Sequence, residues 1–176
     1  MISADDQHAI EHLHACYIHA ADRGDLALMR TLYTDDAIEV HGDYEGPVDG
    51  FFEMLRPGFD YFLSTVHIVT NVLCHVDGDT AESEARGTAY LRMAGDPPYS
   101  MIVINRLFDH YRRVDGRWLF SRRNVLVDWA ETFPGREGNL EVVAPYPSGA
   151  RGRTDMVYSE TPGMVAALRG KLPPIA

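Results

Sequence analysis

The sequence predicts an α+β domain whose N-terminal helices pack against one face of a curled antiparallel sheet. Three observations carry this. Apolar residues recur at spacings of three and four near the start, then at a spacing of two from about residue 64. Asp-Gly pairs at 77–78 and 115–116 fall between alternating segments, the pattern of hairpin turns. Helical segments come first and strands follow, without the interleaving that a parallel α/β sheet requires.

Residues 4–20 form the first predicted helix, with Ile10, Leu13, Tyr17 and Ala20 on one face. Ser3, with Asp6 three residues on, resembles a capping box. Gly24 ends the pattern, and Asp25 caps a second helix over 25–33. "DDAIEVHGDYEG" reads as a short strand pair or turn, and a short helix over 49–56 stops at Pro57-Gly58. Strands are predicted at 65–76, 80–92, 100–113 and 117–127. After Trp129 a Pro- and Gly-rich stretch reads as loop, followed by a short helix over 162–169 with Thr161 as cap and Pro162 at its start. The chain therefore divides into a domain at 1–130 and a C-terminal arm or lid at 131–176 that contacts a neighbouring subunit.

The totals exclude several function classes. The chain has 176 residues and 45% hydrophobic content, enough for one domain with a real core. Its formal charge of −10 argues against a nucleic-acid or anionic-membrane surface. No stretch approaches the ~20 apolar residues of a membrane helix. The N-terminus lacks the basic and apolar regions of a signal peptide, so the expected location is cytoplasmic. Cys16 and Cys74 lie in apolar patterns and read as packed thiols.

Candidate chemistry centres on "STVHIVTNVLCHVDGDTAESEARGTAYL", residues 64–91. Strict alternation puts Thr65, His67, Val69, Asn71, Leu73 and His75 on one face. In the next strand Ala81, Ser83, Ala85, Gly87 and Ala89 share a face, leaving room for a helix or a pocket. A buried Asp beside His67 would orient the ring and leave its other nitrogen to take a proton. Asp22, at the end of the first helical face, is the candidate partner. On the last strand Trp118, Phe120, Arg122, Asn124 and Asp128 share parity, while Arg123 points the other way unless a bulge intervenes. An arginine there would stabilise an enolate or a leaving anion. His8 and His12 are spaced for a metal, but no carboxylate or thiol completes a set, so no metal is expected.

Three segments, "HACYIHAADRGDLALMRTLYTDDA", residues 64–91, and "NRLFDHYRRVDGRWLFSRRNVLVDW", together resemble the SnoaL-like branch of the nuclear-transport-factor-2-like superfamily over about residues 5–130. The resemblance implies a cone-shaped curled sheet. It extends to scytalone dehydratase, hexachlorocyclohexane dehydrochlorinase and bile-acid 7-alpha-dehydratase, which use an Asp–His dyad without a cofactor. On that basis Asp22 and His67 are the catalytic candidates. Tyr17 and Arg122 match substrate-contacting positions, with Arg123 competing for the arginine's place, and Asn124 shares the face of Arg122. The implied activity is a dehydratase-like lyase on a mostly apolar cyclic molecule. A ring isomerase and a noncatalytic binding or structural subunit are the alternatives. A homodimer or homotrimer is expected in each case.

Overall fold

The computed structural model describes residues 3–134 and 143–169. The first helix, α1 (Ala4–Arg23), buries Ile10, Leu13, His14, Cys16 and Ala20. Ser3 accepts the Asp6 N–H at 3.0 Å, so the sequence cap is real. Gly24 ends the helix in the left-handed region at φ 67°, where a side chain would be strained. Asp25 caps α2 (Leu26–Arg30) by accepting the Leu28 N–H at 3.0 Å. This helix is shorter than the periodicity suggests: Tyr33 already begins strand β1 (Tyr33–His41). Strand β2 (Tyr44–Pro47) pairs with it, and α3 (Val48–Gly58) follows. Pro57 lies inside the last turn of α3, where it removes little hydrogen bonding and does not stop the helix.

Four long strands complete the sheet: β3 (Phe62–Asp77), β4 (Thr80–Met93), β5 (Tyr99–Val114) and β6 (Arg117–Pro134). The β5–β6 turn places both Asp115 and Gly116 at positive φ, 49° and 75°, as a tight hairpin requires. The C-terminal segment carries α4 (Val157–Glu160) and α5 (Pro162–Arg169), the second at the predicted place. Residues 135–142 of the Pro- and Gly-rich stretch, and the last residues of the predicted arm, lie outside the described residues.

The α+β class holds, but the sheet corrects the sequence reading. It is a six-stranded sheet of order β2-β1-β6-β5-β4-β3, and β1 runs parallel to β6. It is therefore mixed rather than purely antiparallel, and it is not curled and closed into a cone: β2 and β3 are edges that do not pair with each other. The sequence hid this because β1 breaks its own alternation. Its pairing with β6 is irregular between Tyr33 and Ile38, and a charged residue, Glu39, occupies an inward position.

Two further bulges decide which side chains reach the interior. In β3 the register shifts between Thr70 and Leu73, with Asn71 at φ 54°. Thr65, His67 and Val69 turn inward before the bulge, Val72, Cys74 and Val76 after it. The continuous face read from sequence is thus split in two, and His75 turns outward. In β6 the pairings Tyr111↔Phe120 and His110↔Arg122 leave Ser121 as an extra residue. Trp118 and Phe120 are inward, and after the bulge Arg123 takes the inward position.

The core joins α1, α2 and α3 to the sheet through Ile10, Leu28, Phe51, Tyr111 and Phe120. Ala81 on β4 belongs to this core, so the small-residue face does admit the helices. Further along the same face Gly87 and Ala89 line a cavity instead.

Candidate active site

The cavity, of about 230 Å³, opens between α1, α3 and the inward face of β3–β6. Its walls are mostly apolar, with Ile18, Met29, Phe51, Leu55, Val69, Leu91, Val103, Leu107 and Val125 among them. The polar lining is sparse: Tyr17, His41, Thr65, His67, Thr88, Asn105 and Arg123. An apolar chamber with a few convergent polar groups is the usual form of a small-molecule site.

Asp22 and His67 meet. Asp22 lies in the last turn of α1, the helix that packs on β3. Its Oδ1 is 2.6 Å from His67 Nδ1, and its Oδ2 accepts the His67 main-chain N–H at 3.1 Å. This two-point contact fixes a ring that lines the cavity, and Nε2 has no hydrogen-bond partner among the described residues. Both side chains are partly shielded, 18% and 33% exposed, which strengthens the ion pair without closing it to a ligand.

Arg123 forms a second polar centre. Its Nε and Nη2 donate to Asp109 Oδ1 and Oδ2 at 2.8 and 2.9 Å, a bidentate pair with both partners buried. The guanidinium carbon sits 4.2 Å from the Tyr17 ring centre and 4.1 Å from that of Phe120. Burial is the largest single influence and opposes its charge, but the Asp109 carboxylate together with the Tyr33 and Tyr17 hydroxyls outweighs it and raises the guanidinium pKa well above its ordinary value. The Tyr17 hydroxyl is pushed up to about 12, first by burial and then by the Glu39 carboxylate. Tyr17 therefore stays a neutral donor at physiological pH. His14 extends the network: its Nε2 is 2.9 Å from the Tyr111 hydroxyl, which is 2.6 Å from Ser83 Oγ. Burial, then the neighbouring Arg123, lowers the His14 pKa to about 4.

The sequence-predicted residues separate cleanly. His67 and Tyr17 line the cavity, and Asp22 stands behind His67, in contact with its ring. Arg122 is not: it is half-exposed, and its Nη2 donates to Glu45 Oε1 at 3.1 Å. The Ser121 bulge gives its expected place to Arg123. Asn124 follows Arg122 away from the lining, between Val40 and Phe108 of the adjoining strands. Sequence reasoning missed Asn105, whose Oδ1 is buried without a hydrogen-bond partner and lies against Gly87. It also missed Glu39 and His41. The available signal was a charged or polar residue inside an apolar strand, as in "AIEVH" and "IVINRLF".

The C-terminal segment reaches the cavity rim. Arg151 Nη2 donates to Thr65 Oγ1 at 3.2 Å, and its guanidinium lies 5.2 and 5.6 Å from the Phe59 and Phe62 ring centres. Those three partners all line the cavity. Asp155 pairs with Arg23, next to the dyad aspartate, at 3.3 Å. Among the described residues no cluster of three or more metal-ligating side chains occurs, and no helix is long and apolar enough to cross a membrane.

A family model described as SnoaL-like domain matches residues 3–124. Among solved structures, a Novosphingobium aromaticivorans protein provisionally assigned as a scytalone dehydratase superposes with a TM-score of 0.67 at 22% identity, covering 74% of this chain and 89% of that one. A LinA-type3 hexachlorocyclohexane dehydrochlorinase from Novosphingobium barchaimii gives 0.65 at 18% identity, covering 75% and 92%. The Rv3472 protein of Mycobacterium tuberculosis, whose function is unknown, gives 0.64 at 19% identity and covers 96% and 97%, so that likeness extends through the C-terminal segment. No curated protein matches the chain. At these identities the structural likeness is one of fold.

Proposed function

The chain belongs to the SnoaL-like domain family, and from that premise we propose that it is a cofactor-independent lyase of the dehydratase type. It acts on a small, mostly apolar cyclic molecule. The observation that carries this reading is the 2.6 Å Asp22–His67 contact at the wall of an apolar cavity. Asp22 holds the ring with Nδ1 toward the carboxylate and compensates the charge of the imidazolium. His67 Nε2 removes a proton from carbon next to an activating carbonyl. Arg123 and Tyr17 stabilise the oxygen on which negative charge builds, in surroundings that exclude most water. The likeness to proteins named as scytalone dehydratase and hexachlorocyclohexane dehydrochlorinase agrees with proton abstraction followed by departure of a group.

A ring isomerase shares the first step, and the buried Arg123–Tyr17 pair beside the cavity favours it as the second reading. The cavity and the dyad contact speak against a purely structural role. The deciding experiment is a panel of hydroxylated cyclic ketones, read by mass spectrometry with the wild type and Asp22→Ala. Loss of water supports the lyase, and an altered product of unchanged mass supports the isomerase. Full turnover by Asp22→Ala would sink both.

Two supporting elements complete the proposal. The segment around Arg151 acts as an arm that finishes the cavity wall. The exposed apolar end of β6, with Trp129 and Phe133, together with β3 residues Val66 and Ile68, is the surface through which copies associate as a dimer or trimer.

A further inference from the structure

A second carboxylate–histidine pair stands at the same cavity: His41 lines it, and Glu39 is buried behind. Glu39 and His41 stand two residues apart on β1 and so project to one face of the strand. Glu39 is fully buried. Its Oε2 accepts the Tyr33 hydroxyl at 3.0 Å. Its Oε1 lies 3.5 Å from His41 Nδ1 and has no hydrogen-bond partner among the described residues. A buried carboxylate is costly without a counter-charge or a proton. The guanidinium on the same cavity, Arg123, is already committed to Asp109 through two nitrogens. His41 is thus the group placed to complement Glu39. Its ring is half-exposed, stacks on Phe51 with centroids 5.1 Å apart, and faces the chamber that His67 lines. The arrangement resembles the first pair at longer range, 3.5 Å against 2.6 Å: a carboxylate lies near Nδ1, and Nε2 is left for a ligand.

We propose that His41, backed by Glu39, is the second acid–base residue of this site and supplies the proton to the departing oxygen. This deepens the lyase reading and rests on it. The substrate class is a β-hydroxy carbonyl compound with an apolar body. His67 Nε2 takes the proton from the carbon next to the carbonyl, and that C–H electron pair becomes the new C=C bond. The C–O bond breaks with its electrons on oxygen, and the His41 Nε2 proton joins that oxygen, so water leaves. His67 then holds one proton more and His41 one fewer, and exchange with solvent restores both. Splitting the two proton transfers between two histidines frees each from having to reach both ends of the bond.

The test uses 4-nitrophenol, whose ionised form is distinguished by its visible absorbance and mimics the charge on the leaving oxygen. The wild type binds the nitrophenolate ion. His41→Gln and His41→Phe, the second keeping the stack on Phe51, each weaken that binding about tenfold, as expected for one charge-assisted hydrogen bond. Glu39→Gln weakens it in the same direction. Thermal melts confirm that the variants are folded. Wild-type failure to bind the ion, or His41 variants that bind it as tightly as the wild type, would overturn the proposal. The underlying reading fails separately: it falls if Asp22→Ala retains full dehydration activity, whatever the probe shows.

Discussion

Asp22 holds His67 at two points, ring and main chain, 2.6 and 3.1 Å from its two carboxylate oxygens. The main-chain contact matters as much as the ring contact, because it fixes where the carboxylate sits before the ring is considered. Asp22→Asn preserves the size of the group but offers an amide that also donates. The ring loses its strong acceptor at Nδ1, and a substantial fraction adopts the wrong tautomer. Turnover is expected to fall by about 10²–10⁴-fold, with KM changed far less than kcat, because the loss concerns proton transfer. Steady-state kinetics on the substrate found by the panel check this, and an unchanged kcat contradicts it.

The dyad was legible in the sequence because each half sits in an uninterrupted local pattern. Asp22 follows an apolar helical stripe, and His67 lies in the regular run of its strand between Ser64 and Thr70. The arginine was not legible, because the Ser121 bulge inverts the parity that Trp118 and Phe120 establish. The Asn71 bulge likewise makes one face of β3 into two half-faces. The open mixed sheet escaped for the same reason: the segment reads as a short strand pair or turn, and because β1 is irregular where it meets β6, nothing in it marks the parallel pairing. A bulge adds one residue and leaves no compositional trace unless a glycine marks it.

Arg123 and Asp109 form a buried bidentate pair, and removing either partner leaves the other charge buried alone. Arg123→Met and Asp109→Asn are each expected to lower stability by about 3–5 kcal/mol. The double variant should lose less than the sum, since neither orphaned charge remains. Urea denaturation of the four proteins measures this. Strict additivity would show that the pair is not energetically coupled.

Gly87 is the floor on which the Asn105 amide rests. A methyl group there would collide with Asn105 Oδ1, the far end of a mobile side chain, while the backbone keeps ordinary strand geometry. Gly87→Ala therefore swings the amide into the cavity at a modest stability cost, of about 1 kcal/mol. Ligand binding should drop much more than stability does, and adding Asn105→Ala to Gly87→Ala should recover the lost space. Equal binding by Gly87→Ala and the wild type would mean that Asn105 does not border the ligand.

The end of β6 exposes Trp129 and Phe133, with Trp129 50% accessible. Contiguous exposed apolar groups of this kind mark contact surfaces. A dimer or trimer is expected by sedimentation at micromolar concentration, and Trp129→Glu should shift it toward the monomer. A wild type that sediments as a monomer at that concentration contradicts this.

Acid should weaken the fold through His14. Burial, chiefly, and the neighbouring Arg123 lower its pKa from 6.5 to about 4 in the folded chain. The unfolded chain therefore binds a proton between those two values that the folded chain refuses. Stability from the neutral ring is fully present above about pH 6.5 and declines as pH falls toward 4. The loss across that window is about 3 kcal/mol. Asp6 and Asp155, whose pKa values lie below the ordinary 3.8, withdraw their contributions at lower pH and leave this window to histidine. His14→Gln keeps a polar partner for the Tyr111 hydroxyl and removes the titrating ring. Its urea midpoint should lie below that of the wild type at pH 7 yet change less between pH 7 and pH 5. Parallel pH dependence in the two proteins would assign the acid sensitivity to other groups.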